Sequence, residues 1–516
     1  MWPRPWPGNR TTSCLTWWRC WRPTAGPGRW PKPSFTNARA ETEGVALSIT
    51  FVSTLVASLI TLGLVVIVHE LGHFLFCKLF GVYVKTFSIG IGPKVIRQQW
   101  GETEYVLSAI PFGGYVKMAG EGMMEEIQDT GTWDQRKYPL GTEEGNAEAA
   151  DMDEGIPHDR QFHAKPPWQR MLVFIAGPLF NVILAFVLYA GLIMSDGLLT
   201  IPFTRVGDVV ASGPATEAGM QVGDVIQTVA GREVSDWGEI EDLLLPPELR
   251  EGRSAPAVPL LVQRDGEVLD LTLQPTFVDS TGSWTLGMGP WNTTVGLVQK
   301  GGPAARLGLR EGDVILSVDG QDVSSFSQIA KLIHARAGKA VEIVWTRDGQ
   351  TMQGLVTPQL KEITPGQESG RVFMEPFYGH DHVSTGRALA LGWQRTVITI
   401  QVTVETLGDF VGRKLGLDSV GGPLRIGQAA GEMLRWSFGH LMQFVAFFSI
   451  NLFLLNLLPV PVLDGGHVLF LLLEVARGGR PVSERVQAIA TQMGLIFLLL
   501  FMTFVMVLDV WKVTGH

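Results

Sequence analysis

The sequence is poor in charge and in cysteine for its length. Charged residues make up 18% of the 516 positions, compared with about a quarter in soluble domains, which excludes an ordinary soluble protein. Its three cysteines, Cys14, Cys20 and Cys77, are too few for a disulfide framework or a cysteine-based zinc site. The net charge of −9 argues against nucleic acid as a partner.

Long apolar runs account for the missing charge. Four runs contain no charged side chain and are long enough to cross a bilayer as helices. They are Val45–Val68, Met171–Met194, Leu441–Leu463 and Val486–Leu508. We therefore expect a multi-pass α-helical membrane protein with transmembrane helices within 45–80, 171–195, 437–466 and 486–510.

The first run ends in His69-Glu70-Leu71-Gly72-His73. On a helix, residues i and i+4 share a face, so both imidazoles can bind one metal ion. Glu70 lies close enough to hold a water on that metal and to accept its proton. The alternative is a pair of interfacial histidines beside a glutamate that reaches toward water. Because ionisable groups in an apolar run are costly, the pattern favours a zinc protease that works inside the membrane.

The third run ends in a segment that cannot remain helical. Two prolines and two glycines lie between Asn456 and Gly466, and broken backbone at membrane depth is tolerated only when it is buried in protein or lines a cavity. Asp464 at this break is therefore the best candidate for a third metal ligand. His467 and Glu474 are weaker rivals, since His467 could instead contact a ligand and Glu474 is expected near the membrane interface.

The second run carries small and polar residues. Gly177-Pro178 and Asn181 suit either close helix packing or a contact near the histidine site. Packing is the commoner of the two roles.

The segment 81–120 alternates apolar and polar residues around glycines, which predicts short β-hairpins joined by glycine turns. A membrane-associated β region of this kind could offer a strand edge to an extended peptide near Gly113 and Gly114; a purely structural hairpin fits equally well. An acidic, solvated loop is expected at 121–165. The leader 1–44 lacks a signal-peptide core and is expected to be unstructured or to reflect an incorrectly assigned start.

A repeat lies between the second and third runs. The pattern from Gly213 to Val234 recurs 89 positions later, from Gly302 to Val323, and an Arg-Asp-Gly turn follows each copy. We expect two β-rich domains, at 200–278 and 279–360. Their motif resembles PDZ domains, which bind chain ends by strand addition. Leu286-Gly287-Met288 is the expected carboxylate-binding loop of the second copy, although both copies could act only as a plug or spacer.

Charges in the short loops predict the orientation. Basic residues cluster after the first run and between the last two, so both loops should be cytoplasmic. This places the active site toward the cytoplasm and the repeats outside, with an amphipathic helix at 386–411 along the membrane. The basic residues are Lys85, Lys94, Arg97, Lys117, Arg477, Arg480 and Arg485.

The His69–His73 motif, the tandem repeats and the segment from Asn456 to Gly465 occur in the order that resembles the site-2 protease family. The resemblance implies one Zn²⁺ per chain on His69, His73 and Asp464. It also implies that Glu70 is the catalytic acid/base and that Asn456 contacts the backbone of an unwound substrate helix.

The resemblance further implies a bacterial inner-membrane protease with periplasmic repeats. Its substrates would be single-span membrane proteins, such as an anti-sigma factor already cut by another protease, and remnant signal peptides. Two rival hypotheses are a membrane-anchored zinc protease whose catalytic helix stands in the cytoplasm and a PDZ scaffold with an inactive metal site.

Overall fold

The computed structural model describes residues 40–120, 155–245, 255–278, 283–364, 367–412 and 422–513. Nearly all of the expected leader and most of the acidic loop lie outside these residues. The described chain forms two compact units. One unit runs from Ile193 to Thr385, and the other contains the chain up to Leu192 and from Gly386 onward.

The helices of the described residues are, in chain order, α1 Ala40–Leu79, α2 Pro167–Asp196, α3 Pro214–Glu217, α4 Trp237–Leu244, α5 Pro303–Leu307, α6 Phe326–His334, α7 Thr385–Val411, α8 Pro423–Trp436, α9 Phe438–Asn456, α10 Asp464–Ala476 and α11 Glu484–Val513. The strands are β1 Val84–Trp100, β2 Thr103–Met118, β3 Leu198–Thr200, β4 Val206–Val209, β5 Val225–Val229, β6 Arg232–Glu233, β7 Val258–Arg264, β8 Glu267–Leu273, β9 Thr276–Val278, β10 Ser283–Thr285, β11 Met288–Pro290, β12 Val295–Val298, β13 Val314–Val318, β14 Gln321–Asp322, β15 Val341–Arg347, β16 Gln350–Val356, β17 Gln359–Thr364, β18 Gln367–Arg371, β19 Met374–Pro376 and β20 Gly379–Asp381.

Four helices in the described residues are long and apolar enough to cross a membrane, which confirms the number expected from the charge-free runs. Apolar side chains of α1, α2, α8 and α9 pack around fully buried residues such as Val65, Leu441 and Val445. The break in the third run is also present, because α9 ends at Asn456 and α10 begins at Asp464. The qualifying stretches are Phe51–Leu79, Pro167–Asp196, Phe438–Asn456 and Arg485–Asp509.

Strands β1 and β2 fold into a small antiparallel sheet between α1 and α2. Phe87 pairs with both Tyr105 and Val116, so each long strand bends and contributes two segments to the sheet. The backbone has positive φ at Gly90 and Gly113, a conformation that glycine adopts without a steric penalty. The glycine-turn hairpins expected from the sequence are therefore present, and the segment from Gly114 to Met118 is paired on one side by Ile89 and its neighbours.

Two helices, α7 and α8, lie between β20 and α9 in the sequence. The helix expected at 386–411 is present as α7, whereas α8 was not predicted. Helix α8 packs tightly on α1, because a side chain at Gly431 would overlap Thr54. Asp509 of α11 accepts hydrogen bonds from the backbone N–H groups of Gly422 at 3.1 Å and Arg425 at 3.3 Å. These bonds satisfy donors that a helix start leaves free.

In the repeat unit, each copy forms a four-stranded antiparallel sheet of the same order, β6-β5-β7-β8 and β14-β13-β15-β16. In each copy the Gly-Asp motif and the Arg-Asp-Gly turn contact each other through an ion pair. Arg264 of the first Arg-Asp-Gly turn lies 2.7 Å from buried Asp224, and Arg347 lies 2.7 Å from buried Asp313. The aspartate that follows glycine in each copy is thus neutralised by the arginine of the following hairpin.

The assignment of Leu286-Gly287-Met288 to the second copy is wrong. Leu286 is buried in the core of the first copy, and β11, which starts at Met288, pairs with β4. The equivalent contact in the second copy is the pairing of β19 with β12. The repeated sequence motif does not include these strands. In each copy the last strand returns to pair with the first strand of the same copy. The first domain therefore extends past the expected boundary at residue 278.

Candidate active site

Two helices bring together three side chains that could hold a metal ion. His69 and His73 lie on one face of α1, and Asp464 lies in the first turn of α10. The two Nε2 atoms are 3.2 Å apart, and the Asp464 carboxylate oxygens lie 3.2 Å from His69 and 3.5 Å from His73. Zinc bonds of about 2.0–2.1 Å in a tetrahedron would space neighbouring donors by roughly 3.3 Å. Both donor types and spacing therefore fit zinc.

Asp464, the expected third ligand, is the carboxylate that lies with the two histidines. Among the described residues, His69, His73 and Asp464 form the one group of such donors within 4.8 Å of one another. Glu474 is instead buried and forms an ion pair with Arg170 at 2.5 Å, away from the donor group. His467 stacks on Phe174 of α2, with ring centroids 4.7 Å apart.

The glycines after Asp464 explain why α10 can begin there. A Cβ atom at Gly465 would overlap the carbonyl oxygens of Leu457 and Leu458, and one at Gly466 would overlap that of Val460. The first turn of α10 therefore lies directly against the loop that leaves α9. Only residues without a side chain allow this approach, which brings Asp464 to the histidines.

Helix α2 packs directly against the histidine motif. The Nδ1 atom of His73 lies 2.8 Å from the carbonyl oxygen of Val173. Because a carbonyl can only accept, Nδ1 carries the proton and Nε2 is left free to bind a metal. A Cβ atom at Gly177 would overlap His73, and one at Gly72 would overlap the carbonyl of Ala176. Close packing and a contact at the site, the two alternatives for this run, both occur on α2.

Residues expected to act on a substrate also lie beside the donors. The side-chain nitrogen of Asn456, at the end of α9, is 3.3 Å from Nε2 of His69. At Gly114, an added Cβ would lie 2.9 Å from Cγ of Glu70, so β2 passes directly over the glutamate. Gly113 provides the bend before this contact, with φ +117°. Leu286–Met288, the other expected binding segment, belongs to the first repeat.

Two features of the site were not predicted. The ion pair between Arg170 and Glu474 joins the start of α2 to the end of α10, and the Val173 carbonyl orients His73. Arg170 directly precedes the second apolar run, and this was the one local signal for the ion pair. A backbone carbonyl leaves no signature in the sequence.

Four apolar helices and a His/His/Asp group with both histidines buried, beside a glutamate, are the features of a membrane metallopeptidase. The profile of peptidase family M50 matches residues 57–501. The chain belongs to this family, the site-2 proteases, and the resemblance seen in the motifs is confirmed.

Several relatives match along nearly their whole length. The regulator of sigma-E protease RseP of Escherichia coli K12 is 31% identical over 88% of this chain and 97% of its own. A Neisseria meningitidis protein, whose name places it among the zinc metalloproteases, is 33% identical over 90% of this chain and 100% of its own. A solved structure, the PDZ domain of the SdrC-like protein of Listeria monocytogenes, shares 20% identity over 17% of this chain and 90% of that domain, with a TM-score of 0.15.

Proposed function

We propose that this chain is an intramembrane zinc endopeptidase that cleaves single-span membrane proteins within the bilayer. The observation that carries the proposal is the group formed by His69, His73 and Asp464 at the end of an apolar helix. The three side chains would hold one zinc ion. When bound, zinc acidifies a water molecule and polarises the scissile carbonyl.

The remaining chemistry is assigned to the chain's own side chains. The carboxylate of Glu70 accepts a proton from the attacking water and delivers it to the leaving amide nitrogen. The side-chain amide of Asn456 lies at the donor group and is placed to hydrogen-bond the substrate backbone. Family membership and this geometry support both assignments.

Substrate unwinding needs partners for backbone groups. A transmembrane helix satisfies its amides internally, so a locally unwound stretch must find other partners in a medium without water. The strand segment that begins at Gly113 and Gly114 passes Glu70 and offers backbone groups at the required place. An extended substrate segment would therefore pair with this segment while its scissile bond faces the donor group.

Metal content and cleavage, measured on the same purified full-length variants, test the proposal. We expect His69→Ala and Asp464→Ala to lose zinc, because a site short of one ligand binds metal far more weakly. Glu70→Gln should keep zinc and lose cleavage of a single-span substrate. Full activity of Glu70→Gln would end the proposal, and a zinc-loaded wild type that cleaves no membrane protein would favour the scaffold hypothesis.

The substrate class is the second part of the proposal. We assign the chain to the bacterial inner membrane, with the repeats periplasmic and the active site toward the cytoplasm. The substrates would be anti-sigma factors trimmed by another protease and remnant signal peptides. Relatives named as regulators of sigma-E protease support this class. Zinc chemistry is indifferent to sequence, so selection must come from elsewhere in the chain, and we assign it to the repeats, which exclude bulky outer domains.

The structure supplies a clean deletion for testing this selection. Thr200 of β3 pairs with Gly379 of β20, so the ends of the repeat segment are adjacent. Removing residues 201–378 and joining the strands through Asn-Gly keeps this hairpin. We expect the shortened chain to bind zinc and to cleave a substrate whose outer domain is intact as well as the trimmed form. If it still discriminates as sharply as the full chain, the repeats are not the selector.

A further inference from the structure

Asn181 of α2 is fully buried next to the metal-binding histidines. Its Nδ2 atom lies 3.1 Å from Nδ1 of His69, while its Oδ1 atom has no hydrogen-bond donor among the described residues. An amide oxygen buried without a donor is costly. The oxygen and nitrogen of an asparagine amide differ by a rotation of 180° about one bond, so their placement follows from the hydrogen bonds they make.

The geometry of the donor group decides between the two placements. His69 faces His73 and Asp464 through Nε2, so Nε2 needs a free lone pair to bind a metal. The ring proton must then sit on Nδ1, which requires an acceptor. If the amide nitrogen Nδ2 lies at this 3.1 Å contact, two N–H donors face each other. If Oδ1 lies there instead, it accepts a hydrogen bond from the Nδ1 proton of His69.

We propose that Asn181 is a positioning residue whose Oδ1 accepts the Nδ1 proton of His69 and so fixes Nε2 as the metal-binding nitrogen. This inference rests on the proposed zinc function. Helix α2 would then provide a hydrogen-bond acceptor for the Nδ1 proton of each histidine, since the Val173 carbonyl accepts that of His73 at 2.8 Å. Removing such a partner of a metal-binding histidine typically weakens metal affinity by about 10–100-fold.

Zinc affinity of full-length variants, measured by competition with a chelator, tests the role. Asn181→Leu keeps the number and branching of the side-chain heavy atoms but has no acceptor, and we expect it to bind zinc about 10–100-fold more weakly. Asn181→Asp keeps an acceptor and should retain zinc. Asn451→Leu is the matched control, because Asn451 also lies in an apolar helix, where its amide donates to the Phe447 carbonyl of the same helix. It should bind zinc as the wild type does.

Which ring nitrogen of His69 carries the proton can also be determined in the wild-type protein. In zinc-loaded wild type, ¹⁵N chemical shifts should show a proton on Nδ1 and zinc on Nε2. Wild-type affinity in Asn181→Leu, an equal loss in Asn451→Leu, or zinc on Nδ1 would each overturn the proposal. A wild type that binds zinc but cleaves nothing would instead overturn the proposed function, and the result for Asn181 would stand because every readout is a zinc measurement.

Discussion

Gly177 is the position where one added methyl group should do the most damage. A Cβ atom there would lie 2.9 Å from Cε1 of His69 and would overlap Nε2 of His73. Ordinary carbon contacts are about 3.5–4.0 Å, so one or both rings must move by roughly 1 Å. A displacement of that size at a reacting centre can cost about 100-fold in rate.

We therefore expect Gly177→Ala to lose zinc and to reduce cleavage by about 100-fold or more. Gly191→Ala is the control, because Gly191 lies on the same helix with no atom within 4 Å of the added Cβ. It should retain both properties. Zinc content and the rate of cleavage of a single-span substrate are measured on both purified variants. Gly177→Ala with wild-type zinc content and rate would show that α2 does not lie against the histidines as described.

Two further predictions concern ion pairs. Arg170 and Glu474 are both largely buried, at 16% and 9% side-chain exposure, so removing either partner alone should cost about 3 kcal/mol in the free energy of unfolding. Replacing both by methionine should cost less than either single change, as a double-mutant cycle in detergent would show. In the second repeat, burial opposes ionisation of Asp313, but hydrogen bonds from Arg347 outweigh it and hold the pKa of Asp313 below its ordinary value. The pair should therefore stabilise the domain fully above about pH 4 and lose this effect as the pH falls through the lowered pKa. Asp313→Asn should remove this pH dependence, measured by hydrogen exchange of β13 and β15. An unchanged pH profile would contradict this reasoning.

The parts of the site that could be predicted have local signatures. His69 and His73 are four residues apart on a helix, so the helical repeat alone puts both imidazoles on one side. The break before Asp464 follows from prolines and glycines that cannot continue a helix. Four long apolar runs likewise require spanning helices once the bilayer is the solvent. These signals act within a few residues of one another, which is why the sequence alone reveals them.

Other parts depend on contacts between distant segments. Helix α8 is amphipathic, but it contains Arg425, Glu432 and Arg435 and so was not among the charge-free runs. Its place against α1 depends on a distant contact at Gly431. Leu286 was assigned to the wrong repeat because β11, which follows it, pairs with β4. These two strands are far apart in the sequence of the first domain. The ion pair of Glu474 was not predicted because its partner Arg170 is 304 positions away. In each case the deciding partner lies outside any local window.

Helix α2 shows how these distant contacts make a functional site from the local motifs. The His69–His73 motif guarantees that two rings share a face, but it does not fix which nitrogen of each ring carries the proton. The Val173 carbonyl, 100 positions from His73, determines that for one ring. The same helix carries Phe174, which stacks on His467 of α10, and so also contacts the helix that carries Asp464. Because one helix contacts both ligand-bearing elements, a shift of α2 would alter all three donors together. The geometry of the site should therefore be most sensitive to residues of α2, although none of them belongs to the donor group.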